Sequence, residues 1–197
     1  MPEITAALVK ALREKTGLGM MTCKEALIAS DGDSEKAIEW LRKKGLDAAG
    51  KRSGRITKEG AIGSYIHMNG RIGVLVELNC ESDFVARGEV FQQLLKDLCM
   101  QVAATAPLAV APEDIDEKIL AKEREIYAEQ VVGKPKGVVD KIVEGKVQKF
   151  FTEQCLLAQP FVKNPDMSVT DYVKSVIAKT GENITVRRFV RFQLGED

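Results

Sequence analysis

The chain has 197 residues, and its 29 lysines and arginines balance 29 aspartates and glutamates, so the formal net charge is zero. That balance argues against a histone-like or polybasic membrane role, each of which needs a strong positive field, while 45% hydrophobic and 29% charged residues exclude disorder. No apolar run approaches the ~20 residues of a membrane span, and Met1-Pro2-Glu3-Ile4-Thr5 lacks a basic or apolar leader; the expectation is a soluble cytoplasmic protein.

Residues 1–45 read as a head of three short helices. Ile4, Ala7, Leu8, Ala11 and Leu12 recur at helical spacing until Gly17 and Gly19 end the run. Thr22 and Glu25 fit a capping box that opens a second helix. Asp33 reads as the N-cap of a third, with Ala37, Ile38, Trp40 and Leu41 as its apolar stripe and Gly45 as its stop. Residues 46–60 read as an exposed basic linker, since Gly50, Ser53, Gly54 and Gly60 alternate with Lys51, Arg52, Arg55 and Lys58.

The remainder, 61–197, reads as an α+β core. Gly60–Met68 and Arg71–Asn79 are β-type runs joined by Asn69-Gly70, a strong type I′ hairpin signal. That register puts Ala61, Gly63, Tyr65, His67, Ile72, Val74, Val76 and Leu78 on one face. The other face holds Ile62, Ile66, Met68 and Leu75, interrupted by Ser64 and Glu77. It is too apolar to be left wholly to water, which suggests self-association. A helix through Phe91, Leu94, Leu95, Leu98 and Val102 follows, closed off by Pro107 and Pro112. Two further helices, about 112–131 and 139–157, are joined by a turn at Gly133-Lys134-Pro135-Lys136-Gly137 and form a helical hairpin. Gln159-Pro160 breaks the second, and a short helix from Ser168 or Thr170 ends at Gly181. In the last segment Ile184, Val186, Val190, Phe192 and Leu194 alternate with Thr185, Arg187, Arg191 and Gln193. This strand completes a three-stranded antiparallel sheet with a basic solvent face.

No catalytic constellation converges. Cys23, Cys80, Cys99 and Cys155 are scattered without a CxxC pair, and His67 is the single histidine. The thiols therefore read as small buried hydrophobes, and no metal or cofactor is expected. His67 is placed at the edge of the sheet packing with an ordinary hydrogen bond. Neither GxxxxGK[ST] nor a strand-led GxGxxG occurs. An enzyme is thus the least favoured class, and an interaction protein the most favoured. Two segments offer anchors. Gly17-Leu18-Gly19-Met20-Met21 places two polarizable methionines on an inter-helix loop. Ser82-Asp83-Phe84-Val85 sets a phenylalanine beside a carboxylate where a strand hands over to a helix. On residue type alone, Asp83 equally reads as an N-cap and Phe84 as the first member of a buried stripe. A competing reading is a nucleic-acid-binding protein that uses the basic linker and the last strand. A ubiquitin-type adaptor is a third.

The run Leu12–Leu27 (LREKTGLGMMTCKEAL), followed by Gly32-Asp33 and Ala37-Ile38-Glu39-Trp40-Leu41-Arg42, resembles the N-terminal signature of the elongation factor Ts family. Cys80-Glu81-Ser82-Asp83-Phe84-Val85-Ala86 resembles that family's second signature and Gln159-Pro160-Phe161-Val162 a third landmark. The resemblance spans nearly the whole chain in order. Where Ser82 stands the family more often has threonine, which keeps the hydroxyl, and the length resembles the short form with one core copy. It implies a guanine-nucleotide exchange factor for elongation factor Tu, and a head similar to a ubiquitin-associated domain that docks on the partner's GTP-binding domain. Asp83 and Phe84 would reach toward the partner's magnesium and phosphates, with Ser82 and Val85 shaping the turn. Leu12, Met20 and Met21 would belong to the docking surface of the head. The partner expected is elongation factor Tu, with a homodimer in a two-plus-two complex and no direct contact with membrane or nucleic acid.

Overall fold

The computed structural model describes residues 4–131 and 135–196. In chain order the elements are α1 (Ala6–Thr16), α2 (Met20–Ala29), α3 (Ser34–Arg52), β1 (Glu59–His67), β2 (Ile72–Cys80), α4 (Asp83–Arg87) and α5 (Glu89–Thr105). They continue with α6 (Glu117–Glu129), α7 (Lys136–Gln154), β3 (Pro160–Phe161), β4 (Asn164–Ser168), α8 (Val169–Thr180) and β5 (Ile184–Gln193). The class is α+β. The chain divides into two compact units, one of Met1–Ala61, Asn79–Leu94 and Asp171–Thr185, the other of Ile62–Leu78, Leu95–Thr170 and Val186–Asp197.

In the first unit, α1 starts where the Thr5 hydroxyl accepts the Leu8 N–H at 3.3 Å and stops at Gly17, whose φ of 70° only glycine adopts freely. Val9, Leu12, Cys23, Ala26, Leu27, Ala37 and Leu41 form the core of the three helices, with Ile4, Leu18 and Trp40 against it. Asp33 caps α3 as expected, accepting the N–H groups of Glu35 and Lys36 at 2.9 and 3.1 Å. Two expectations fail here. Helix α2 begins at Met20 with Gly19 as an N-cap that makes no side-chain bond, so Thr22 lies inside the helix and forms no capping box. Helix α3 does not stop at Gly45 but runs to Arg52, so the first half of the basic segment is helical. The glycine serves packing instead: a Cβ built there would meet the Ala178 methyl of α8 at 3.2 Å.

In the second unit the sheet order is β1-β2-β5. The Leu194 N–H donates to the Arg71 carbonyl at 2.8 Å, setting the end of β5 beside the start of β2, as antiparallel pairing requires. Asn69 and Gly70 adopt φ of 55° and 89°, the expected turn, but Met68 is left-handed too, at 52°. The Arg71 N–H is shared between the carbonyls of His67 and Met68, so Met68 and Arg71 belong to the turn and form no strand pair. Val74, Val76 and Leu78 are buried. Helix α5 closes on β1 at Gly63, where a Cβ would stand 2.5 Å from Leu95 Cγ. His67 is exposed and shares a 2.9 Å hydrogen bond with the stacked Tyr65.

The last strand departs from its expected pattern. Arg187 and Arg188 are both exposed, which slips the alternation by one position; beyond them Val190 and Phe192 face solvent while Arg191 and Gln193 are partly buried. Apart from Arg188, which pairs with Glu77, the outward face is therefore largely apolar, not basic.

Helices α6 and α7 pack as a hairpin around Val131, Val143 and Val147, with Ile115 and Phe150 in a neighbouring cluster. The helix expected from Pro112 is a short 3₁₀ turn followed by α6, which Asp116 caps. Of the turn expected at 133–137, Gly133 and Lys134 lie outside the described residues. Helix α7 ends at Gln154, ahead of the break expected at Gln159-Pro160, and that pair instead opens the β3–β4 hairpin. Buried Gln101 fixes that hairpin by donating to Gln159 Oε1 and the Pro160 carbonyl and accepting the Val162 N–H.

Candidate functional site

Strand β2 ends at Cys80, and the next two residues set up the turn. Ser82 has extended backbone (φ −130°, ψ 154°) and caps α4: its hydroxyl accepts the Val85 N–H at 3.3 Å and its carbonyl the Ala86 N–H at 3.2 Å. The hydroxyl proton goes to Glu182 Oε1 at 2.6 Å, and the Ser82 N–H goes to Glu182 Oε2 at 2.9 Å. The neighbouring carboxylate answers in the opposite sense. Glu81 Oε1 accepts the Asn183 N–H at 2.6 Å and faces the Arg55 guanidinium at 3.4 Å. Buried Asn183 in turn donates its side-chain amide to the carbonyls of Arg55 and Ser53 at 2.8 and 3.4 Å. Segments 81–82 and 182–183 thus clasp each other, each presenting a carboxylate to the other's backbone.

The far side is closed by Gly88, whose N–H donates to the Val85 carbonyl at 2.9 Å, and by the Gln92 amide, which donates to the Ala86 carbonyl at 2.6 Å. Val85 and Ala86 face inward, and Phe84 is thrown outward, 82% exposed. Asp83 is exposed beside it and forms an ion pair with Arg87, whose Nε also donates to the Asp83 carbonyl at 3.3 Å. The two readings left open by residue type are therefore decided: the N-cap is Ser82, not Asp83, and Phe84 lies on no buried stripe. An exposed ion pair of this kind contributes at most about 1 kcal/mol, so the Asp83 carboxylate is easily diverted to another cation or donor.

Electrostatics follow the hydrogen bonds. The Asn183 N–H, with the Arg55 charge added, holds the Glu81 carboxyl below the usual range. Beneath the turn, Cys80 donates to the Ser82 carbonyl at 3.1 Å, and burial first, then the Glu182 charge, pushes its thiol up. Cys99 is pushed up to about 11 by burial, and Cys155 upward as well. All four cysteines are buried free thiols.

On the head, Met20 and Met21 occupy the first turn of α2, not a loop, and are 43% and 69% exposed. Leu12 must be removed from the surface set: it is 1% exposed, inside the core of the three helices. Leu8 and Ile38, expected on the apolar stripes, are exposed instead, and so is Ile28, which no sequence signal singled out. Sequence reasoning missed Glu182, Asn183 and Arg55. No local signal marks them, because they reach the turn only through tertiary contact.

Fold and site together define an α+β protein whose most exposed aromatic ring, Phe84, is held outward by the clasped turn beneath it. A sequence profile described as Elongation factor TS matches residues 24–196. The chain is 57% identical over 198 residues to Elongation factor Ts of Desulfosudis oleivorans, covering 100% of both chains. It is 56% identical over 196 residues to Elongation factor Ts of Syntrophus aciditrophicus, covering 98% of each. The chain belongs to the elongation factor Ts family, a family of elongation factors of protein synthesis. Among the described residues, no helix is long and apolar enough to cross a membrane.

Proposed function

We propose that this protein is the guanine-nucleotide exchange factor of elongation factor Tu and that it works in the cytoplasm without chemistry of its own. The observation that carries the reading is Phe84, 82% exposed on a turn pinned at both ends. The head, residues 1–45, docks on the GTP-binding domain through Met20 and Met21, while Asp83 and Phe84 reach the region of the partner's magnesium and phosphates. GDP is held there by phosphate contacts and by an octahedral Mg²⁺ that tolerates little displacement of its ligands. A ring wedged into close-packed structure moves elements in discrete steps, because such interiors deform poorly. The ion then loses ligands, and the nucleotide loses its charge neutralisation. Coupling is reciprocal, so incoming nucleotide weakens the factor's hold by the same ratio, and the factor is released for another cycle.

Stopped-flow release of fluorescent GDP from elongation factor Tu tests the assignment. Phe84→Ala lowers the release rate at saturating factor by about tenfold or more, the loss expected for an aromatic anchor. Its melting stays within about 0.5 kcal/mol of the parent, because the ring is exposed. An unchanged release rate would falsify the wedge.

The outward face of the sheet supports a homodimer in a two-plus-two complex. Ile62, Ile66, Leu75, Val190 and Phe192 are exposed on it, a patch unusual for a monomer. Sedimentation as a monomer at micromolar concentration would count against this. The nucleic-acid reading has less support, because Arg55, Arg188 and Arg191 are paired with Glu81, Glu77 and Glu196. Salt-dependent retention of RNA or DNA would favour it instead.

A further inference from the structure

Glu182 stands one hundred positions from Ser82 in sequence, yet its carboxylate takes both donors that Ser82 owns. The arrangement is more specific than a stabilising contact requires. A serine hydroxyl has a single proton and two lone pairs. With the proton committed to Glu182 Oε1 at 2.6 Å, a lone pair is turned toward the Val85 N–H at 3.3 Å, and the first turn of α4 is fixed. Helix α4 has five residues. Helices shorter than about 12 residues do not hold themselves in water, so the direction of Phe84 is set by whatever anchors Ser82. Glu182 meets Ser82 at two points, its N–H and its hydroxyl, so the orientation of Ser82 is fixed as well as its distance. Its own position is firm: it follows α8 and Gly181, whose φ is 77°, and α8 meets α3 at the close approach of Gly45 and Ala178. Next to it, Asn183 is held by Glu81 and by the carbonyls of Ser53 and Arg55.

We infer that Glu182 is a positioning residue for nucleotide exchange: its carboxylate, locked by the reciprocal bond that the Asn183 N–H donates to Glu81, fixes the direction in which Phe84 meets the partner. The inference rests on the reading of Phe84 as the wedge. Its consequence is that the ring arrives already oriented, so binding energy is not spent ordering the turn. Reach matters here more than charge. Glu182→Gln keeps the reach, an acceptor for the Ser82 N–H and, in place of the second oxygen, an amide donor for the free lone pair of the Ser82 hydroxyl, whose other lone pair still takes the Val85 N–H. Glu182→Asp keeps the charge but withdraws the carboxylate by one methylene.

The test is the dependence of stimulated GDP release on factor concentration for the full chain, measured for the parent, Phe84→Ala, Glu182→Ala, Glu182→Asp and Glu182→Gln. A misdirected ring lowers the plateau by about tenfold, whereas loss of folded material shifts the midpoint concentration and leaves the plateau. The expected result is a lowered plateau for Phe84→Ala, Glu182→Ala and Glu182→Asp, with most of it recovered in Glu182→Gln. The double variant Phe84→Ala/Glu182→Ala should be no slower than Phe84→Ala alone. If Glu182→Ala loses its cooperative melt, Glu182→Asp carries the comparison. A parental plateau in Glu182→Asp, or a lower plateau in Glu182→Gln than in Glu182→Asp, overturns the inference while a lowered Phe84→Ala plateau keeps the wedge. A parental plateau in Phe84→Ala overturns the wedge and the inference with it.

Discussion

The protein offers apolar side chains to solvent in two different ways. At the start of α2, Met20 and Met21 follow an N-cap glycine, which has no side chain to bond, and their own side chains are unbranched and rotatable. At the start of α4, Phe84 follows an N-cap serine tied by three hydrogen bonds, and its ring is stiff. Both are local helix beginnings, and only one is pre-organised. A soft methionine surface adapts to what it meets and tolerates imperfect fit. A rigid ring on a clasped turn cannot adapt, so in the proposed exchange reaction the partner is the one to give way. The difference teaches that exposure by itself does not define a working group; the scaffold beneath it does.

Four changes sharpen or break this comparison. The largest effect is expected at Leu12, whose role is to hold the head together: Leu12→Ala should cost about 2–5 kcal/mol in thermal or denaturant melts, and a loss under about 1 kcal/mol would contradict its place in the core. Next, Ser82→Ala removes the cap and leaves a carboxylate oxygen of Glu182 without its donor. A stability loss of about 1 kcal/mol is expected, together with slower GDP release. Normal release would show that the turn keeps its shape without the cap. Met21→Ala should leave stability within about 0.5 kcal/mol and weaken binding to the partner by roughly 1 kcal/mol, read by calorimetry; parental affinity would remove Met21 from the docking surface. The smallest effect concerns acid. The Glu81 carboxyl is depressed in the folded protein, so its contribution is complete above the ordinary glutamate range and fades as pH falls through the lowered value. An NMR titration followed at the Asn183 amide should therefore show its midpoint below the usual carboxylate value. A midpoint at or above that value would mean the clasp is not formed in solution.

Much of the fold was legible because it depends on local patterns. The apolar spacing of Ala11 and Leu12, of Ala26 and Leu27, and of Ala37 and Leu41 marks the three helices of the head, and Asn69-Gly70 marks the hairpin, whereas Val9 lies outside the stripe read from spacing. The errors came where a local signal has two uses. Gly45 has the composition of a helix stop, yet it permits a close approach to Ala178. Thr22 and Glu25 have the spacing of a capping box, yet Gly19 opens the helix three residues earlier. Arg187 and Arg188 in succession displaced the period of the last strand, and the faces of its second half were read the wrong way round.

The candidate site divides along the same line. The residue types and spacing of Ser82-Asp83-Phe84-Val85 are present in the sequence, and so is the family signature. Whether Phe84 joined a buried stripe or faced solvent was open, since a ring at a strand–helix junction suits both. Sequence by itself determined which groups the turn carries and which segments form helices and strands, because those follow from side-chain chemistry and short-range periodicity. Tertiary structure alone decided between the two readings of Leu12, helix stripe and docking surface, in favour of the core. It alone left the outward sheet face mostly apolar and brought Glu182 and Asn183 across from a distant segment to clasp Glu81 and Ser82. Hydrogen bonds between residues a hundred positions apart leave no periodic trace in the chain; they exist only once packing has brought the two segments together.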